Sequence, residues 1–258
     1  IATHAKGSSR AITLPSWWIS MTDEHPVEKA FRSGIQKALL EVRDPEDIPQ
    51  ENARLRLANA LRAALQHAAT SMADDAPITA AAELVEEAVR HLEPGPHGRP
   101  YQGSAEGSVG GVPNGFTSYS PVTGPMNALA SVVNLSATDN EVIADVIYGN
   151  AYEGPPGHLH GGLVAAIFDE VLGFAQALSG APGMTGKLEI TYRAPTPLHS
   201  PLRVVGRYEK IEGRKIFASG TIHAGDRLCA EAKGLFISVR PEMFGGLGRI
   251  RDQQNSDG

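Results

Sequence analysis

Cysteine is nearly absent: Cys229 is the one cysteine in 258 residues. A single thiol cannot close a disulfide within the chain, and it rules out a zinc site built on cysteines. Positive charge is also short, with 23 Lys and Arg against 29 Asp and Glu and a formal net charge of −6. General nucleic-acid binding needs the opposite balance, so no nucleic-acid partner is expected. No apolar run reaches membrane-spanning length, because the longest, Leu163 to Leu178, is broken by Asp169 and Glu170. Residues 1–20 contain Lys6 and Arg10 but no long apolar stretch, which makes a poor signal peptide. Met21-Thr22-Asp23-Glu24 resembles a natural start, so residues 1–20 are expected to be an extension or a cloning remnant. No membrane attachment and a cytoplasmic location are expected.

What is present centres on Gly154-Pro155-Pro156-Gly157-His158-Leu159-His160-Gly161-Gly162, which runs directly into the apolar segment from Leu163. Two adjacent prolines stiffen the loop, and Gly161 and Gly162 allow a ligand to approach free N–H groups where a helix begins. Such a terminus favours negative charge and suits a carbonyl becoming an oxyanion. At about 100° per residue, Val164, Ile167, Phe168, Val171, Phe174, Ala175 and Leu178 share a core face. The opposite face holds Ala165, Ala166, Asp169, Gly173, Gln176 and Ala177, mostly small, which predicts a helix packed all round with Asp169 in a crevice. On pattern alone, Asp169 is either a solvated carboxylate or a functional one.

Residues 21–93 read as a helical N-terminal segment. Its stripes are Val27, Phe31, Ile35, Ala38, Val42; then Leu57, Leu61, Leu65, Ala68; then Ile78, Ala81, Val85, Ala88, Leu92. Asp74 and Asp75 are placed to start the third helix. Residues 94–124, rich in Gly, Pro and Ser, read as a linker, and few contacts are expected to cross it. Deleting residues 1–95 should then leave an active core. Residues 125–241 switch to period two, with strands expected at Met126–Leu135, Glu141–Tyr148, Gly186–Arg193, Leu202–Ile211, Lys215–His223 and Leu228–Val239. Residues 242–258 read as a flexible tail. Two strands, one long helix and four strands imply an α+β fold in which an antiparallel sheet wraps one central helix.

His160-Gly161-Gly162 with Asp169 two to three helical turns later resembles the hotdog-fold acyl-CoA thioesterases of the PaaI-like group. The likeness continues through Gly154-Pro155-Pro156-Gly157, Gly183-Met184-Thr185, Ile190 to Leu198 and Glu212 to Phe217, and points to the branch containing carboxyl-terminal modulator protein. It spans roughly Pro121 to Pro241. By that resemblance the sheet is a hotdog fold, Gly161 supplies the carbonyl-polarising N–H, His160 is a hydrogen-bonding positioner, and Asp169 attacks the thioester or deprotonates water. Thr185 matches a hydroxyl that orients water or the carboxylate, though it also reads as a strand-start Thr satisfying backbone. Many relatives carry Asn where this chain has Gly154; the nearest Asn is Asn150.

Glu170, about 100° round the helix from Asp169, cannot share its task. His158 and His160 lack a third ligand nearby in sequence, so no metal is expected, and no cofactor is implied. The phosphates of CoA need a basic patch, for which Arg214 and Lys215 are the candidates. The expected activity is hydrolysis of a medium- or long-chain fatty acyl-CoA by a homodimer, or a tetramer built from such dimers. A non-catalytic acyl-CoA-binding regulatory protein and a hotdog acyl-thioester hydratase are the alternatives.

Overall fold

The computed structural model describes residues 52–95, 118–181 and 183–238. The stripe at Val27 to Val42, most of the Gly/Pro/Ser-rich stretch and the tail lie outside the described residues.

Two helices come first. α1 (Ala53–Ala68) starts where Asn52 Oδ1 accepts from the N–H groups of Arg54 and Leu55, at 3.0 and 3.4 Å. α2 (Asp75–Leu92) begins after Asp74, which has extended backbone but makes no side-chain cap. None of its residues is buried, and Ile78, Val85, Val89 and Leu92 stay about half exposed.

The remainder is β1 (Val133–Ala137), β2 (Glu141–Val146), a 3-10 turn (Asn150–Tyr152), α3 (Gly161–Ala177), β3 (Gly183–Tyr192), β4 (Leu202–Glu212), β5 (Lys215–Ala224) and β6 (Arg227–Ser238). All six strands pair antiparallel in the order β1-β2-β4-β5-β6-β3. β2 shows why the sheet has one wet face. Val142, Ala144 and Val146 are buried, whereas Glu141, Ile143 and Asp145 alternate onto the other side. That outer side carries exposed ion pairs, Arg203 with Asp145 at 2.9 Å and Arg207 with Glu141 at 2.5 Å. Water and salt screen exposed pairs of this kind, so they mark a solvated surface more than a stabilising one.

The inner face closes on α3, whose Val164, Ile167, Phe168, Val171 and Leu172 are essentially inaccessible to water, as is Leu178 just after it. The helix lies close on β4: a Cβ at Gly206 would fall 2.9 Å from Val171 Cγ1 and 3.0 Å from the Val171 carbonyl oxygen. This is the hotdog layout, with the strands wrapped round a helix that is apolar on most of its circumference.

One expected strand is much shorter than its pattern. Of Met126–Leu135 only the end joins β1, because upstream the backbone turns instead: Asn127 donates to Gly124 O at 3.0 Å and Ala130 to Asn127 O at 3.1 Å. The carbonyls of Pro125, Asn127 and Ala130 all face Arg62 of α1. Ser118 to Gly124, read as the end of a linker, are also anchored, through Ser120 and Thr123 to Glu170.

Candidate active site

The loop before α3 is tied at both ends. Glu153 and Leu159 bridge each other, His158 bridges Pro197, and the Leu159 N–H donates to Thr196 O at 2.8 Å. Gly154 abuts the far side of the loop, where a Cβ would come 2.7 Å from His160 Cα. That contact leaves no room for a side chain at this position. Asn150 instead places Oδ1 2.7 Å from His199 Nε2.

His160 is the N-cap of α3, with extended backbone (φ −60°, ψ 133°), and its Nδ1 accepts from the Gly162 N–H at 3.0 Å. A neutral imidazole accepting at Nδ1 carries its proton on Nε2, so His160 offers an Nε2–H donor rather than a base. Among the described residues the Gly161 N–H has no acceptor. It is an open donor at the positive end of the helix dipole. The Gly161 carbonyl accepts from Tyr192 Oη at 2.9 Å, which fastens the first turn of α3 to the end of β3.

Asp169 is exposed on α3 and not enclosed in the crevice that its small neighbours suggested, and Thr185 Oγ1 donates to its Oδ1 at 2.8 Å. Thr185 and Tyr192 both reach α3 although seven residues separate them, an odd number that would put them on opposite faces of a regular strand. The register of β3 against β6 slips between Thr185 and Lys187, with Gly186 as the extra residue. That bulge turns both side chains toward the helix. Sequence reasoning gave Thr185 by resemblance but overlooked Tyr192, since nothing in the residue types announces a bulge.

Glu170 points elsewhere, as its helical offset requires. Its Oε1 accepts from Ser120 Oγ at 2.5 Å and Thr123 Oγ1 at 2.9 Å. Withdrawal from water pushes its pKa up, the two hydroxyls oppose that shift, and the charge of Asp169 adds to it. Among the described residues no three His, Cys, Asp or Glu side chains are grouped to hold a metal ion, and no helix is long and apolar enough to cross a membrane.

Arg214 and Lys215 sit apart from these groups in the β4–β5 hairpin. The Nε and Nη2 of Arg214 donate to the Ser238 carbonyl at 3.2 and 3.1 Å. Lys215 is exposed and pairs in register with Ile237 of β6, itself opposite Met184 of β3. The hairpin therefore lies at the Thr185 end of β3, away from Tyr192.

The thioesterase superfamily profile matches residues 156–231, from the loop before α3 into β6. A thioesterase superfamily protein of known crystal structure is 35% identical and superposes with a TM-score of 0.67 over 74% of this chain and 93% of its own. The chain belongs to the thioesterase superfamily. Within this family it resembles acyl-coenzyme A thioesterase THEM4 of Mus musculus, at 46% identity over 92 residues, and acyl-coenzyme A thioesterase THEM5 of Homo sapiens, at 32% over 96 residues. Those segments are 35% and 36% of this chain and 40% and 39% of the relatives, so the chain spans about two fifths of the length of the curated proteins it matches.

Proposed function

We propose that this superfamily member is an acyl-CoA thioesterase, hydrolysing a medium- or long-chain fatty acyl-CoA to free acid and CoA, in the cytoplasm. The observation that carries this reading is a helix with an unengaged Gly161 N–H at its positive end and a carboxylate, Asp169, held by Thr185 further along. The thioester oxygen accepts from the Gly161 N–H as negative charge develops on it, and the Nε2–H of His160 is a second donor beside it. Asp169 then either attacks the carbonyl carbon, expelling the CoA thiolate and leaving an anhydride for water to open, or takes the proton of a water that attacks directly. Thr185 occupies Oδ1 and leaves Oδ2 for that step.

Geometry argues that one subunit does not complete the site alone. Eight residues of helix separate Gly161 from Asp169, which at 1.5 Å each is about 12 Å along the axis. One carbonyl cannot touch both. Among the described residues β3 is an edge strand of ten residues with one side unpaired, and pairing it with its copy would bring two α3 helices together. In the proposed homodimer the Gly161 of one subunit faces the Asp169 of the other, and a tetramer would be built from such dimers. Ala165, Ala166 and Gly173 permit the close approach. Arg214 and Lys215 are the proposed contacts for CoA phosphates, with Arg214 held by the Ser238 carbonyl and Lys215 exposed at the start of β5.

Thiol release from acyl-CoA of graded chain length tests the reading. Turnover above background is expected. Binding of acyl-CoA with no release would leave a non-catalytic acyl-CoA-binding protein instead.

A further inference from the structure

Helix α1 ends beside the loop that carries His160. Gln66, in its last turn, accepts through Oε1 from the Ala151 N–H at 3.1 Å, inside the 3-10 turn. Gly149 makes room for that reach, since a Cβ there would fall 2.3 Å from the same oxygen. The next residue, Tyr152, accepts through its carbonyl from the His160 N–H at 3.0 Å. Two hydrogen bonds in series thus connect α1 to the residue that caps α3 and precedes Gly161.

The helix is itself held firmly enough to act as an anchor. One turn before Gln66, Arg62 donates Nε to Ala130 O at 2.7 Å and Nη2 to Pro125 O at 2.9 Å and Asn127 O at 3.0 Å. Its Nη1 donates to Asn59 Oδ1 at 2.6 Å. A planar guanidinium bonded on all three nitrogens has little freedom left. Tyr152 Oη adds a bond to Leu129 O at 3.1 Å, joining the 3-10 turn to the same arm.

We infer that Gln66 is a positioning residue for the reaction: through Ala151 and Tyr152 it holds His160, and so aims the Gly161 N–H. This rests on the thioesterase reading of the site. The bond strengthens no contact with the ground-state acyl chain, so its loss weakens support for the oxyanion more than substrate binding.

The test uses the full chain with Gln66→Leu, which removes the acceptor at similar size, and Gln66→Glu, which keeps it. Gln66→Leu is expected to lower kcat roughly threefold to tenfold, the scale of one hydrogen bond, with KM changed less than about twofold. Gln66→Glu should restore kcat to within about twofold of wild type. Amide hydrogen exchange at Ala151 and His160 should speed up in Gln66→Leu and not in Gln66→Glu. Wild-type kcat in folded Gln66→Leu overturns the inference, and so does a fall in kcat with unchanged exchange at both amides. If Gln66→Leu does not fold, Gln66→Met takes its place under the same expectations. If wild-type protein releases no thiol from any acyl-CoA, the thioesterase reading fails, and exchange alone decides the linkage: unchanged protection in the leucine variant refutes it.

Discussion

Asp169→Asn separates chemistry from folding because of where Asp169 stands. The side chain is exposed and its hydrogen-bond donor is Thr185, which reaches Oδ1 at 2.8 Å. Asparagine presents the same oxygen at the same place, so the fold loses one surface charge and no buried contact. Stability should change by less than about 0.5 kcal/mol, the usual range for surface substitutions. The reaction loses its nucleophile or base, and kcat should fall at least about a hundredfold, equal to about 2.7 kcal/mol in the barrier. KM should move little. Steady-state thiol release beside a thermal melt gives both quantities on one sample. Thr185→Ala supplies the internal scale: water can replace the hydroxyl at an exposed site, so about tenfold in kcat is expected. A folded Asp169→Asn protein with near-normal turnover would remove Asp169 from the chemistry, and an unchanged rate in Thr185→Ala would return Thr185 to a purely structural role.

Tyr192→Phe deletes the bond to the Gly161 carbonyl and should lower kcat by several-fold, about one hydrogen bond's worth; equal kcat in the two proteins would show that β3 does not steady the first turn of α3. Glu170 sets a pH dependence. Burial raises its folded pKa above the ordinary 4.5, so the folded chain binds the proton more readily than the unfolded one. Stability should therefore fall as pH rises from about 4.5 through the folded value and level off beyond it. Glu170→Gln should flatten that slope in denaturant titrations across pH, and identical slopes would contradict the burial argument. Against the expectation of few contacts across the linker and an active core without residues 1–95, deleting them should lower both Tm and turnover, because it removes Arg62 from three carbonyls and Gln66 from Ala151. A truncated protein with full Tm and kcat would refute the proposed role of α1.

Elements governed by periodicity are legible in the sequence. The stripe from Val164 to Leu178 predicted α3, and alternation placed β2, β4, β5 and β6 within a residue or two of their observed ends, because one buried face imposes its period on residue choice. The helices at Leu57 to Ala68 and Ile78 to Leu92 were read the same way. What escaped depends on polar side chains meeting backbone. Arg62 and Gln66 look like the wet face of an amphipathic helix, yet their partners are carbonyls and an N–H more than 60 residues away. Composition carries no trace of such partners. For the same reason Ser120 and Thr123 read as linker, while in the structure they bond Glu170. At the site, resemblance named His160, Gly161, Asp169 and Thr185. The capping bond of His160 and the bulge that aims Thr185 are geometric facts with no sequence signature.

Mixed refolding of two inactive variants tests the division of the site between subunits most directly. Gly161→Pro removes the oxyanion N–H at a position that tolerates proline: it is the first residue of α3, its N–H has no acceptor among the described residues, and His160 before it is already extended. Asp169→Asn removes the carboxylate. Each variant alone should be nearly inactive. Refolded together in equal amounts, half of the dimers are hybrids, and each hybrid has one site with both groups intact. About a quarter of wild-type thiol release should return. If hybrids form, as shown by mass-tagged subunits, and no activity returns, then both groups act within one subunit and the shared site is wrong.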